Sequence, residues 1–212
     1  MGTKAIDPQS IRNVTLIGHP DDTTPVIRRL RRCFGTTTSG AETTVHCIAD
    51  SVEHTIRVVE LSTHAPIAHL ERSIRVADGL IAVVNAAART SRLETVLRIA
   101  DDHQVARLCL VTALDHPAAD FDRAVRTIAE TRGAAPLLLQ SPVGLGPTFE
   151  GVTDLQPGPL PHIRYRTRLG DIVPTLCAPP PTADDIAPLL DAIARYLPSP
   201  LDVCQPEHAL DY

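Results

Sequence analysis

Two segments that read as buried strands dominate the middle of the chain: residues 79–85 (GLIAVVN) are a continuous apolar run, and residues 106–112 (ARLCLVT) are apolar apart from Arg107 and Thr112. A strand without polar alternation is typical of a parallel sheet whose two faces are both covered by helices. Between the runs, residues 90–103 repeat apolar side chains at helical spacing, which predicts an amphipathic helix. A strand, a helix and a second strand in this order predict an α/β fold.

The same alternation extends along the chain and predicts a single domain over residues 1–212, with tails at 1–10 and 204–212. No internal repeat is visible. The other predicted elements are strand 13–18, helix 24–34, a loop-like stretch at 36–43, strands 44–50 and 55–61, helix 66–76, helix 118–132, strands 136–140 and 171–177, a Pro/Gly-rich loop at 142–162, and helix 182–197, in which Thr182 and Asp185 form a capping-box-like start.

Composition narrows the classes of function. A chain of 212 residues with 43% apolar content can bury a core, and its net charge of −5 argues against DNA or general nucleic-acid binding. Five cysteines without a C-x-x-C pair favour reduced thiols, and nine histidines without helical ligand spacing predict no metal site. Because there is no signal peptide or apolar run of membrane-spanning length, we expect a soluble cytoplasmic protein.

Five segments, in order along the chain, resemble the G domain of bacterial elongation factor G, a translational GTPase. The resemblance implies a three-layer P-loop GTPase-like fold with a mostly parallel sheet, GTP or GDP with Mg²⁺ as ligands, and the ribosome or a translation factor as partner. It covers the G domain alone, so the domains that follow it in the factor are expected to be absent. The segments are residues 11–21 (IRNVTLIGHPD), 70–79 (LERSIRVADG), 149–155 (FEGVTDL), 166–177 (RTRLGDIVPTLC) and 189–203 (LLDAIARYLPSPLDV).

The phosphate-binding segment departs from the family pattern G-H-x-D-x-G-K-T-T. Residues 18–25 read GHPDDTTP, and Lys4 is the only lysine of the chain, so the inner glycine and the lysine are missing. That loop turns backbone N–H groups toward the phosphates and places its lysine at the β- and γ-oxygens. Prolines remove N–H donors and carboxylates repel an anion, so the segment predicts loss of ordinary triphosphate binding, with no cofactor. The vestigial nucleotide-site positions are Gly18, His19, Asp21, Thr23 and Thr24.

Two further nucleotide motifs are altered. Residues 60–64 (ELSTH) correspond to the family's D-T-P-G-H element, with Thr63 in place of its glycine. His64 matches the family histidine that orients the attacking water. Residues 112–115 (TALD) correspond to the base-reading N-K-x-D motif and keep only its aspartate, Asp115.

Other parts of the family fold are shortened or replaced. The switch region shrinks to residues 36–43, where Thr43 and Thr44 are the candidates for the threonine that reaches Mg²⁺. The inserted subdomain is reduced to the Pro/Gly-rich loop before His162. Residues 179–180 (PP) replace the later S-A motif, which removes an N–H from the purine site.

Several of these residues have an alternative explanation. Asp115 either accepts hydrogen bonds from guanine or solvates a turn, and His64 either orients water or is an exposed loop histidine. The densest basic run is either a partner-binding surface or a solvated helix face, and it comprises Arg28, Arg29, Arg31 and Arg32.

Three hypotheses follow for function. The first is a catalytically degenerate elongation factor G-like domain, a pseudo-GTPase that acts as a binding module in translation. The second is a divergent GTPase that keeps Asp115 for the base and His64 for water. The third is a structural or interaction protein unrelated to nucleotide.

Overall fold

The structure, a computed structural model, describes residues 7–34, 36–40, 42–90, 92–131, 135–156, 158–179 and 186–203. Strands and helices alternate through most of this part of the chain. In order they are β1 (Ile11–Gly18), α1 (Pro20–Cys33), β2 (Thr36–Ser39), β3 (Glu42–Ala49), β4 (Val52–Ser62), α2 (Ile67–Arg75), β5 (Gly79–Asn85), α3 (Leu93–Asp102), β6 (Ala106–Thr112), α4 (Phe121–Ala129), β7 (Ala135–Leu138), β8 (Gln140–Val143), β9 (Gly151–Asp154), α5 (Leu160–Leu169), β10 (Ile172–Cys177), α6 (Ala187–Tyr196) and α7 (Pro200–Val203).

Eight of the strands form one sheet in the order β2-β3-β4-β1-β5-β6-β10-β7. The six strands from β4 to β7 in this order run parallel, and β2 and β3 are antiparallel additions at one edge. The register places Gly18 beside Ser62 and Asn85 beside Thr112. The carboxyl ends of β1, β4, β5 and β6 therefore meet at one edge, where open α/β sheets bind ligands.

Helices cover both faces of this sheet, because each presents an apolar stripe to it. On one face, α2, α3 and α4 bury side chains such as Leu70, Leu97 and Ile128. On the other face, α1 and α6 bury side chains such as Leu30 and Ile193. This arrangement confirms the three-layer α/β fold with a mostly parallel sheet.

Helix α1 begins at Pro20, four residues before the predicted start at residue 24. His19 occupies the N-cap, and a proline is tolerated in the first turn because its missing N–H has no intrahelical partner there. Within the predicted loop 36–43, residues 36–39 form β2 and residues 42–43 begin β3, with Thr36 opposite Val45. Threonine is β-branched and favours strands, which explains the difference.

The stretch 142–162 also contains more regular structure than predicted. Strands β8 and β9 pair antiparallel within and beside it, and α5 begins at its end. Sequence periodicity did not reveal α5, because only Ile163 and Thr167 of its ten residues are buried. The predicted strand at 136–140 is divided between β7 and β8.

The remaining predictions fall partly outside the described residues. Of the predicted tail at 1–10, residues 8–10 form a short 3-10 helix. Residues 1–6, the tail at 204–212 and the Thr182–Asp185 cap are not among the described residues. Within the described part, none of the helices is both long and apolar enough to cross a membrane.

Candidate functional site

The junction between β1 and α1 lies where a phosphate loop would stand. His19 is the only residue between the end of β1 at Gly18 and the start of α1 at Pro20. Its Nδ1 accepts a hydrogen bond from the Asp21 N–H at 3.3 Å and so satisfies one of the first-turn donors. A G-x-x-x-x-G-K-[ST] loop needs several residues between strand and helix to turn its N–H groups around phosphates. This junction has no such segment.

Helix α1 also packs directly against the end of β1. A Cβ atom added at Gly18 would lie 2.8 Å from both Thr23 Cγ2 and Val83 Cβ. Glycine is required here because any side chain would push the helix away from the strand. The space occupied by the Thr23 methyl group is thus closed to a ligand.

The carboxylate of Asp22 turns inward over the ends of β5 and β6. Its Oδ1 accepts from Asn85 Nδ2 at 2.7 Å and from Thr112 Oγ1 at 3.4 Å. Burial raises the pKa of Asp22 above its usual value, while the two hydrogen bonds act in the opposite direction. An internal anion therefore occupies the edge of the sheet at which an external one would bind.

The hydroxyl groups of Thr23 and Thr24 are directed to a second carboxylate, that of Glu60 near the end of β4. Thr23 Oγ1 donates to Glu60 Oε1 at 2.7 Å, and Thr24 Oγ1 lies 3.4 Å from the same oxygen. Asp21, in contrast, is exposed to solvent. The structure thus brings Thr23 and Thr24 together with Glu60 and leaves Asp21 on the surface.

His64 lies beside His19. The Thr63 N–H donates to the Gly18 carbonyl at 2.9 Å, and the two imidazole rings meet edge to face with centroids 5.3 Å apart. Thr63 is buried, and its Oγ1 has no hydrogen-bond partner among the described residues. Arg92 NH1 donates to the Thr63 and Ala65 carbonyls and fixes this segment further. A side chain therefore fills the position where a glycine would let a phosphate approach.

Asp115 lies in the turn after β6 and is exposed. It lines a cleft of about 180 Å³ together with Asp22, Arg29, Phe149 and Pro179. Small-molecule sites usually have volumes of about 300–1,000 Å³. The cleft is therefore small for a nucleotide, although it presents a carboxylate of the kind that reads guanine.

The four arginines of α1 divide into two pairs. Arg29 NH1 donates to the Pro179 carbonyl at 3.1 Å, and Arg31 donates to Thr43 Oγ1 through Nε and NH2. Arg28 and Arg32 lie exposed, one helical turn apart.

The candidate magnesium threonines lie away from the junction, in β3. Thr43 is fully buried, opposite Val58, and accepts from Arg31. Thr44 Oγ1 lies 3.5 Å from Glu42 Oε1. Within the described ranges, no group of three or more His, Cys, Asp or Glu side chains is placed to hold a metal ion.

Comparison with known proteins places the chain in a family. Residues 31–199 match the family described as the elongation factor Tu GTP binding domain. The chain belongs to this family. It is 32% identical to elongation factor G 2 of Streptomyces coelicolor, in an alignment of 209 residues that covers 71% of this chain and 30% of that protein. The chain thus spans about a third of the length of that relative.

A solved structure shares the fold of this elongation factor Tu-type domain. The crystal structure of a protein from Thermus thermophilus superimposes with a TM-score of 0.72. The comparison covers 92% of this chain and 41% of the other, at 16% identity. At that identity the likeness concerns the fold alone.

Asn85 is the member of this site that sequence reasoning did not single out. It ends β5, its Nδ2 holds Asp22, and its Oδ1 accepts from the N–H groups of Ala87 and Ala88. One signal in the sequence pointed to it, namely a polar residue directly after a buried parallel strand. The ends of such strands are where polar side chains converge.

Proposed function

We propose that this domain is a pseudo-GTPase, a member of the elongation factor Tu-type family that does not bind guanine nucleotides and serves as a binding module in translation. The observation that carries the proposal is the junction of β1 and α1, where Asp22 is held by Asn85 and Thr112 and no phosphate loop is formed. The half-buried carboxylate of Asp22 repels a polyphosphate, and this segment has no lysine to contact the β- and γ-oxygens.

The nucleotide content of the purified protein tests the first half of the proposal. Protein purified without added nucleotide is denatured, and the released small molecules are separated by anion-exchange chromatography. We expect no stoichiometric GTP or GDP. Recovery of about one guanine nucleotide per chain would contradict the proposal.

The proposed partner is the ribosome or a translation factor, in the cytoplasm. This follows from the family and from the similarity to elongation factor G 2, which covers only part of that protein. On the surface of this chain, Arg28 and Arg32 supply an exposed basic pair on α1 that suits an RNA phosphate or an acidic protein.

Co-sedimentation with ribosomes at increasing salt tests this partner. Arg28→Glu combined with Arg32→Glu should abolish association, because two attractive charges become repulsive. The control, Arg72→Glu with Arg75→Glu, changes two exposed arginines of α2 by the same charge. Equal loss in both double variants, or no ribosome association of the unchanged protein at low salt, contradicts a specific role for α1.

One observation favours a second function, a divergent domain that still recognises guanine. Asp115 is exposed beside the 180 Å³ cleft, and its side chain makes no hydrogen bond or ion pair with any described residue. Titration with guanosine, which lacks phosphates, separates this function from the first. Guanosine binding that Asp115→Ala removes supports retained base recognition, and adenosine is the matched control ligand.

A further inference from the structure

A second cleft lies between α3 and α4, on the face of the sheet opposite α1. Its volume is about 640 Å³, within the range of small-molecule sites and well above that of the cleft beside Asp115. It opens at the end of β5, where Val84 and Asn85 form its floor, and α3 and α4 form its walls.

Charge is distributed unevenly around this α3–α4 cleft. Its lining includes four arginines and two glutamates, a surplus of two positive charges in a protein whose net charge is −5. Two of the arginines come from the segment that precedes α3 and two come from α4, so they lie on both sides of the cleft. They are Arg89, Arg92, Arg123 and Arg126.

Two of these arginines are held in place without being neutralised. Arg123 NH2 donates to the Ala86 carbonyl at 2.6 Å, and Arg92 NH1 donates to the Thr63 and Ala65 carbonyls. Carbonyl oxygens orient a guanidinium but carry no net charge, so each group keeps its full positive charge and its remaining N–H donors.

Elsewhere in the molecule arginines are paired differently. Arg107, Arg164 and Arg195 each donate to an aspartate at 2.8–2.9 Å. In the α3–α4 cleft, the side chains of Arg89 and Arg126 make no hydrogen bond or ion pair with any described residue, including the two glutamates of the lining, Glu94 and Glu130. The cleft therefore combines fixed and free guanidinium groups around an open volume.

We propose that the α3–α4 cleft is a binding site for a small organic anion. Guanidinium groups bind phosphate and carboxylate through paired N–H donors, and both groups fit this lining. Thr90, Thr95 and Thr127 supply neutral polar groups on the same walls for the uncharged part of the ligand. The site is separate from the β1–α1 junction and does not depend on the proposed pseudo-GTPase function.

Calorimetric titration at constant ionic strength tests the site, with pyrophosphate and citrate as probes for the phosphate and carboxylate chemistries. We expect at least one probe to bind with a dissociation constant of about 1 mM or tighter. Arg126→Gln should weaken that binding about tenfold or more, because a charged donor is lost. The control, Arg98→Gln, removes an exposed arginine of α3 that does not line the cleft.

A second variant shows whether the loss of binding comes from the cleft or from misfolding of the first variant. Arg123→Gln removes the charge of a lining arginine at a second position, and it should weaken binding like Arg126→Gln. An NMR titration locates the bound probe. The backbone amide resonances of residues 89–95 and 123–127 should shift as the probe is added. No binding of either probe, equal weakening by Arg98→Gln, or shifts confined to residues 18–24 overturns the proposal.

Discussion

Asp22 is the residue whose position most affects the chemistry of the β1–α1 junction. Its carboxylate lies at the carboxyl edge of the sheet, where it accepts hydrogen bonds from Asn85 and Thr112. Burial raises the pKa of Asp22, so the folded state holds its proton more tightly than the unfolded state does. Protonation of Asp22 therefore stabilises the folded state. Its contribution to the free energy of unfolding is fully present below the unfolded pKa of about 3.9, and it is lost as the pH rises through the folded pKa.

This linkage predicts that Asp22→Asn raises the melting temperature at pH 7. An asparagine Oδ1 still accepts from Asn85, and the buried charge is gone. The gain should shrink as the pH falls toward 4, because the wild-type carboxyl then becomes protonated. Melting curves between pH 4 and 7 measure the effect.

Asp21→Asn is the matched control, since Asp21 is exposed one position earlier on the same helix. Its melting temperature should differ little from that of the unchanged protein. A lower melting temperature for Asp22→Asn at pH 7 would show that the ionised carboxylate stabilises the junction, contrary to this interpretation.

Gly18 provides a second test at the residue scale. Gly18→Ala should destabilise the protein by about 1–3 kcal/mol, because the added methyl would meet Thr23 Cγ2 and Val83 Cβ at 2.8 Å. Adding Thr23→Ser removes one of the two contacting carbons, keeps a hydroxyl for Glu60, and should recover part of the loss. Urea denaturation measures both. Unchanged stability of Gly18→Ala means that α1 does not pack directly on β1.

At the scale of elements, a buried arginine joins the start of β1 to the end of α6. Arg12 is 1% exposed and donates to the carbonyls of Leu197, Ala194 and Gln9 at 2.6–3.0 Å. These include carbonyls at the carboxyl end of α6, which have no partner within the helix. Burial lowers the pKa of Arg12 to about 10, and the group stays charged at neutral pH.

Replacing this arginine should loosen the junction of the two elements. Arg12→Met keeps the apolar stem but removes every donor, and we expect a loss of about 2–4 kcal/mol, since each buried carbonyl left unpaired costs about 1–3 kcal/mol. Arg57→Met is the control, because Arg57 is exposed on β4. Equal free energies of unfolding for the two variants would contradict the role assigned to Arg12.

Elements whose apolar residues follow a clear pattern could be predicted from the sequence, and elements held mainly by tertiary contacts could not. Strands β5 and β6 read directly as apolar runs, because both of their faces are buried. Helix α5 buries only Ile163 and Thr167, so its sequence carries little periodic signal. The local signs of a helix there were Pro161 in its first turn and Gly170 at its end, where φ is 79°.

The candidate site could be located in the sequence, but its geometry could not be predicted from it. The missing lysine and inner glycine are visible in the sequence, and they indicate an altered phosphate site. That α1 begins at Pro20, and that Asp22 turns inward to Asn85, depends on how the strand ends meet in space. Spacing along the chain cannot reveal such a meeting, because the partners are 63 residues apart.

At the scale of the whole molecule, the domain keeps the architecture of its family, while the proposed function requires that the edge of the sheet at β1 and α1 does not bind nucleotide. Fold alone does not confer activity, since function depends on the groups at the site. Here the parallel sheet and its two helical layers are intact, while the junction of β1 and α1 is filled by Asp22, Thr23 and Thr63. Under the proposed function, this domain has kept the family's fold without the family's reaction.

Calorimetric titration of the domain with GTP in the presence of Mg²⁺ tests this claim most directly. We predict no Mg²⁺-dependent binding at micromolar nucleotide, and any weak heat should disappear with Arg126→Gln, which alters only the α3–α4 cleft. Tight binding that requires Mg²⁺, survives Arg126→Gln and is lost with Asp115→Ala would place the nucleotide at the β1–α1 junction and contradict the account.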